Sequence, residues 1–366
     1  MPELASAFSL TELGWDDGWA AAFEPHTDAG LLPARLVRVD RGACTALSAT
    51  GEFRAEYGAR SPAHVACVGD WAAIRGFPDG RTEVAAVLPR RTAFVRGGVG
   101  RGSRGGLSGD SSGQALAANV DVVYIAEPAA HETGGDGPDL GRIERLLALA
   151  WESGATPVVL ITKVDLVADP SVLLDTVAGV APGAGIQAVS AAGGIGLEPL
   201  RPGPGRTAAL LGPSGAGKST LVNALCGDEV MRTQRVRAAD GRGRHTTTHR
   251  ELLVLPGGGL LIDTPGLRRV GLYESDEGLE RAFADVEELA AGCRFTDCAH
   301  DAEPGCAVLA AVESGDLPQR RLDSWHRLRR EAAWMAGRTD ARLRAEQTRK
   351  WKIIHKEMRR SGRSRP

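Results

Sequence analysis

Two apolar patterns divide the chain. Between residues 33 and 96 the apolar runs are short, at 34–39, 45–48, 52–56, 70–74 and 83–88. Turn signals separate them: Asp40-Arg41-Gly42, Ala49-Thr50-Gly51 and Pro78-Asp79-Gly80. Five strands at this spacing predict a small β-barrel of the OB type. The run VGDWAAIR alternates as a barrel strand does. Such a barrel can bind RNA, and the scarcity of aromatic residues leaves a purely scaffolding barrel as the competing reading. From residue 114 the pattern changes. Strand-like runs at 157–161, 186–189, 207–211 and 260–262 interleave with helical periodicity at 221–225, 276–291 and 317–360. That alternation predicts an α/β domain followed by a helical one. In the last segment Trp325, Leu328 and Ala332 share one helical stripe. No apolar run reaches the length of a membrane span, so none is expected.

The run at 207–211 leads into GPSGAGKST, residues 212–220, which opens a helical pattern. Strand, glycine-rich loop and helix in that order are the context of a phosphate-binding P-loop. Gly212, Gly215 and Gly217 let the backbone, with Pro213, Ser214 and Ala216, approach phosphate oxygens. Lys218 adds charge for the β/γ-phosphates. Ser219 offers a hydroxyl to Mg²⁺, and Thr220 completes the motif.

The strand at 157–161 runs into Thr162-Lys163-Val164-Asp165. This resembles the guanine-reading tetrad of GTPases, which usually begins with Asn. The carboxylate of Asp165 can accept both the N1–H and the 2-amino group of guanine. Adenine offers neither donor, and an unpaired buried carboxylate is unfavourable. The stem of Lys163 can lie over the base, while Thr162 keeps a hydroxyl for holding the loop. The strand at 186–189 ends in Ser190-Ala191, like the GTPase loop whose backbone reads the guanine carbonyl. Two more parts follow the P-loop. Residues 260–262 deliver Asp263-Thr264-Pro265-Gly266, a DxxG motif. Asp263 can hold Mg²⁺ through water, and the Gly266 N–H can meet the γ-phosphate. Between them lies GRGRHTTTHR, residues 241–250. One of Thr246, Thr247 and Thr248 is the expected switch threonine, and Thr247 is taken as the Mg²⁺ ligand. The guanine loops precede the phosphate loop, so the expected fold is a circularly permuted GTPase.

Length and charge add to this. A chain of 366 residues holds two or three domains. Its formal charge is only −2, but the last 30 residues are rich in Lys and Arg. The start, MPELASAFSL, lacks a basic stretch before an apolar core, so no signal peptide is expected. Six cysteines in so long a chain do not make a disulfide framework. Cys44, Cys67 and Cys226 are scattered and read as buried thiols in a reducing cytoplasm. The others cluster as C-x4-C-x-H-x5-C: Cys293, Cys298, His300 and Cys306. Three thiolates and an imidazole complete a tetrahedral Zn²⁺ set, which suits a structural site.

Barrel, permuted motifs and Cys–His cluster, in this order, resemble the ribosome small subunit-dependent GTPase A (RsgA) family. QALAANVDVVYI, GPSGAGKSTLVNAL, GRGRHTTTHRE and IDTPGLR carry the resemblance. It implies a multidomain protein: a lead-in at 1–32, an OB-type barrel at 33–96 and a Gly/Ser/Arg linker at 97–113. A circularly permuted P-loop GTPase domain follows at 114–275, and an α-helical zinc-binding domain with a basic tail at 276–366. It implies GTP or GDP with Mg²⁺ and one Zn²⁺ per monomer. The implied partners are the 30S subunit and its 16S rRNA, with no membrane. The implied activity is GTP hydrolysis, stimulated by that subunit during its late maturation.

The water-orienting group needs its own argument. Leu267 follows Gly266, where Ras-like enzymes carry Gln. An imidazole can orient water near neutral pH, and His245 precedes the threonines. The resemblance puts the family's catalytic histidine there too, with His249 as the competing candidate. With His245, the catalytic set is Lys218 and Thr247. Two other classes stay open at this point: a P-loop ATPase or nucleotide kinase with a zinc-bearing lid, and a GTP-binding module with little turnover.

Overall fold

The computed structural model describes residues 8–58, 66–96, 114–130, 137–227, 250–263 and 276–339. The lead-in forms α1 (Asp17–Thr27), capped by Asp16, whose carboxylate accepts the Trp19 N–H at 3.0 Å. Its Trp19 and Phe23, with Trp15, pack on Trp71 of the following barrel.

Five strands make the barrel: β1 (Leu32–Val39), β2 (Ala43–Ser48), β3 (Gly51–Tyr57), β4 (Trp71–Gly76) and β5 (Thr82–Val87). They pair in the order β1-β2-β3-β5-β4, and β4 returns to β1. Only β3 and β5 run parallel, and the ring closes as an OB fold does. The interior holds Ala34, Leu36, Cys44, Ala46, Ala55, Ala72, Ile74 and Val84. Side chains this small let the strands close tightly, so the barrel is a packed core. Next, β6 (Ala93–Arg96) and β7 (Gln114–Ala118) pair with each other in a separate two-stranded ribbon.

The α/β domain contains β8 (Val122–Pro128), α2 (Leu140–Glu152), β9 (Thr156–Thr162), α3 (Ser171–Ala178), β10 (Gly185–Val189), β11 (Thr207–Leu211), α4 (Lys218–Cys226), β12 (Glu251–Val254) and β13 (Leu260–Asp263). Its strands lie in the order β10-β9-β8-β11-β13-β12, all parallel except β12. All five residues of β11 are buried, as an apolar run between two helical layers requires. Tyr124, Leu160, Leu210, Leu221 and Leu225 fill the α4 face. Val123, Ile125, Ile143, Leu147 and Ile161 fill the α2 face. The chain therefore leaves β11 and β8 toward opposite faces. It returns from β10 to β11 across the α4 face, where Leu200 is buried and its carbonyl accepts the Tyr124 hydroxyl at 2.9 Å.

Barrel and α/β sheet are continuous, because β1 pairs with β12 at Arg38–Glu251. Arg35 of β1 sits at the junction. It is buried and donates to the carbonyls of Leu13 (3.1 Å) and Asn119 (3.0 Å) and to the Thr207 hydroxyl (3.2 Å). Burial pulls its pKa down to about 10, against the charges of Asp121 and Asp70, so it stays a cation.

The C-terminal part begins with α5 (Asp276–Ala282) and α6 (Ala284–Ala290), then α7 (Ala307–Ser314) and α8 (Gln319–Thr339). The pattern at 276–291 predicts one helix, but the structure breaks it at Phe283, with φ −121°. Phe283 is buried, the Val286 N–H donates to the Phe283 carbonyl at 2.9 Å, and the Ala282 carbonyl accepts from Arg321 Nη2 at 2.7 Å. The helical pattern at 317–360 is seen as α8, and residues beyond 339 lie outside the described ones.

Arg35→Met leaves two buried carbonyls and a hydroxyl without their donor. The expected loss in urea unfolding of the full chain is about 3 kcal/mol. An unchanged midpoint would refute the joining role of Arg35.

Candidate nucleotide site and metal centre

Chain topology puts a crevice at the carboxyl ends of β11 and β8, where α/β sheets bind ligands. Gly212 enters it with φ 139°, so close to β8 that a Cβ would stand 2.2 Å from the Ala126 carbonyl oxygen. Gly215 and Gly217 both have φ 81°, a left-handed backbone that glycine adopts without strain. Gly217 then caps α4, whose first turn carries Lys218, Ser219 and Thr220. The loop wraps the positive end of a helix, the arrangement that receives phosphate. Lys218 folds over it, and its ammonium donates to the carbonyls of Gly212 (2.9 Å) and Pro213 (2.6 Å). Ala216 is buried beneath, while Ser214 and Thr220 face outward.

Two further loops converge on this one. Thr162 ends β9, and its hydroxyl donates to the Ala216 carbonyl at 2.8 Å. The residue that stands where GTPases usually carry Asn thus ties the tetrad to the phosphate loop. Lys163 takes a left-handed backbone, φ 58°, and Val164 is buried as the anchor of the turn. Asp165 stays exposed, and its carboxylate accepts the Ser190 hydroxyl. Ser190 in turn accepts the Gly193 N–H at 2.9 Å and pairs through its backbone with Ile195. Ala191 is half-buried beside it. The motif implies a backbone role for Ser190; its hydroxyl adds a bond to Asp165. Asp263 ends β13 next to Leu210 and is 8% exposed. Thr246, Thr247, Thr248, His245, His249, Gly266 and Leu267 lie outside the described residues.

A group that no motif announces stands at the end of β8. Glu127 is fully buried, and its carboxylate accepts from Arg142 (2.8 Å) and from the Asp139 N–H (3.2 Å). Burial raises its pKa against the pull of Arg142.

The donor atoms of Cys293, Cys298, His300 and Cys306 lie within 4.8 Å of one another. Cys293 Sγ is 3.8 Å from Cys306 Sγ and 3.6 Å from His300 Nδ1. His300 Nδ1 is 3.4 Å from Cys306 Sγ. A tetrahedral Zn²⁺ with bonds of about 2.3 Å to sulfur and 2.0–2.1 Å to nitrogen demands edges of about 3.8 and 3.5 Å. These residues therefore fit that ion. The N–H groups of Ala307 (3.3 Å) and Leu309 (3.4 Å) donate to the sulfurs of Cys293 and Cys306 and orient them. His300 holds a left-handed backbone, φ 60°. Glu303 pins the turn that carries it, accepting from Ala299 (3.0 Å), Asp301 (2.9 Å) and Ala302 (3.1 Å). These N–H groups, Ala299 foremost, hold its pKa down to about 2.

Residues 87–273 match the family model described as RsgA GTPase. The chain is 51% identical to the small ribosomal subunit biogenesis GTPase RsgA of Streptomyces coelicolor, over 97% of this chain and 93% of that one. The chain belongs to the RsgA GTPase family. The Opitutus terrae RsgA is 44% identical over 96% of this chain and 97% of its own length. Two crystal structures share the fold. YjeQ from Thermotoga maritima has a TM-score of 0.59 at 23% identity, covering 82% of this chain and 98% of YjeQ. YloQ, described as a circularly permuted GTPase, has a TM-score of 0.56 at 22% identity, covering 82% and 95%.

As an RsgA-family member the protein is a GTP hydrolase. The motif order fits its sheet: within the α/β domain β8, β9 and β10 precede β11 in the chain and form one side of the sheet, in the order β10-β9-β8-β11-β13-β12. Thr162→Val removes one hydroxyl without changing shape and strands the Ala216 carbonyl. A fluorescent GDP titration should show about tenfold weaker binding, with preference for guanine over adenine retained. Thr162→Asn should restore affinity, and parent affinity in the valine variant would show that the tie is idle.

Proposed function

We propose that this GTPase binds the small (30S) ribosomal subunit and hydrolyses GTP during its late maturation, with the subunit stimulating hydrolysis. The observation that carries this reading is the convergence of the 162–165, 190–191 and 212–220 loops at one crevice, in a chain half identical to a small ribosomal subunit biogenesis GTPase. Gly212–Thr220 cradle the phosphates, with Lys218 on the β/γ oxygens. Asp165 reads guanine, Lys163 covers the base, and Thr162, Val164, Ser190 and Ala191 shape the loops around it. Ser219 and Thr247 hold Mg²⁺, Asp263 supports it through water, and Gly266 meets the γ-phosphate. His245 orients the attacking water. Cys293, Cys298, His300 and Cys306 hold one structural Zn²⁺.

The 16S rRNA is the chemistry that a basic C-terminal tail favours, because RNA contact releases counterions from phosphate. The division into lead-in, barrel, linker, GTPase domain and zinc domain at residues 32, 96, 113 and 275 goes with this reading. So do a monomeric state and a cytoplasmic location. Among the described residues no helix is long and apolar enough to cross a membrane. A zinc-bearing lid, which a kinase would need, is disfavoured by a buried ion pair. Glu144 of α2 bonds Arg321 of α8 at 2.9 Å, with side chains 0% and 1% exposed. Swinging the zinc domain away would strand both charges.

The functional test is GTP hydrolysis with and without purified 30S subunits. His245→Ala should keep GTP affinity within a few-fold and lose about 10²–10⁴-fold of the stimulated turnover. Parent turnover on the subunit would transfer the role to His249 or to the ribosome. The metal is tested apart from activity. Elemental analysis should find about one Zn²⁺ per chain, and Cys298→Ser should abolish it while GDP binding survives. Full zinc content in a Cys298/His300 double variant would place the ligands elsewhere.

A further inference from the structure

We infer that helix α2 is a strut that links the nucleotide crevice to the cysteine–histidine subdomain, so that nucleotide binding and the packing of that subdomain are thermodynamically coupled. The inference rests on reading the crevice as the guanine-nucleotide site.

One end of the strut is fixed at the crevice. Asp139 caps α2, and Arg142 in its first turn holds Glu127 at 2.8 Å. Glu127 follows Ala126, the residue against which Gly212 is packed. Two positions further on, the Ala129 N–H donates to the Thr162 carbonyl at 2.8 Å. The strand end that anchors α2 is therefore the one on which the phosphate and guanine loops are both built.

The flank of the strut is fixed to the subdomain. The Glu144 carboxylate, fully buried, accepts from Arg320 (2.6 Å), Arg321 (2.9 Å) and the Ser324 hydroxyl. Arg321 also bonds Asp285 at 2.7 and 2.9 Å, the Ala282 carbonyl, and the Val180 carbonyl at 3.3 Å. Its guanidinium lies 4.0 Å from the Phe283 ring centre. Arg145, one residue on, bonds Glu331 at 2.8 Å. Helix α5 crosses α2 so closely that a Cβ on Gly278 would stand 2.4 Å from the Ala148 carbonyl oxygen. Ile143 and Leu147 share one apolar core with Phe283, Val286, Cys306 and Trp325.

Ion pairs at this depth do not slide. A shift that separated Glu144 from Arg321 would leave two buried charges unpaired, so α2 and α8 move together or stay together. A ligand that tightens the end of β8 must then favour the docked subdomain, and by reciprocity the docked subdomain favours the ligand.

Hydrogen exchange of the full-length protein with and without GDP tests this. Protection of α4 and β9 reports nucleotide binding itself. In the parent, GDP should also slow exchange in α2 and at residues 319–330 by about fivefold or more. Glu144→Gln breaks the latch by charge. Gly278→Ala breaks it by shape, with a residue that otherwise favours helix. In both, GDP should still protect α4 and β9 while protection at 319–330 disappears. If α4 and β9 are protected in the parent but residues 319–330 are not, the strut is refuted and the nucleotide site stands. If either folded variant keeps the remote protection, the coupling runs elsewhere. If α4 and β9 show no protection, the reading of the crevice fails instead. The parent measurement decides the matter even where a variant fails to fold.

Discussion

The close approach of β11 and β8 is the constraint on which the rest of this molecule hangs. The chain turns from these neighbours toward opposite faces of the sheet, which opens a crevice between their ends. Gly212 must have no side chain because the Ala126 carbonyl stands where one would go. The threonine at the end of β9 then holds the floor of the phosphate loop through a single hydroxyl. The 162–165, 190–191 and 212–220 loops are thus tied to one another by side-chain hydrogen bonds, although they come from three distant segments.

Permutation alters connections rather than contacts. The chain must return from the sheet edge at β10 to its centre at β11, and it does so across the α4 face. Leu200 and the Tyr124 hydroxyl pin that crossing. At the other end of the sheet, beyond β13, stands the antiparallel strand β12. Barrel strand β1 meets it at Arg38–Glu251, which joins barrel and GTPase domain in one sheet.

Three junctions use buried or part-buried charge: Arg35 under the barrel, Arg142 with Glu127 at the crevice, and Glu144 with Arg321 at the cysteine–histidine subdomain. Such pairs stabilise little compared with apolar packing of the same volume. Their effect is geometric. A guanidinium with several fixed acceptors has one placement, and the domains it joins inherit it.

The sequence by itself determined the parts whose chemistry is local. Glycines that need a left-handed or crowded backbone, a Lys-Ser-Thr at a helix start, and four metal donors within one turn-rich segment are all written within a few residues. The strands at 207–211 and the five barrel strands were legible for the same reason, because period and turn chemistry act over short range. What only the tertiary structure decided lies between segments. The hydroxyl of Ser190 on Asp165, the break at Phe283 where Arg321 takes a helix carbonyl, and the burial of Glu127 depend on partners 15 to 39 residues away. Glu144 and Arg321, 177 residues apart, carry the same types as any surface charges on amphipathic helices. Only packing removes the water around them, and with the water gone their pairing becomes obligatory.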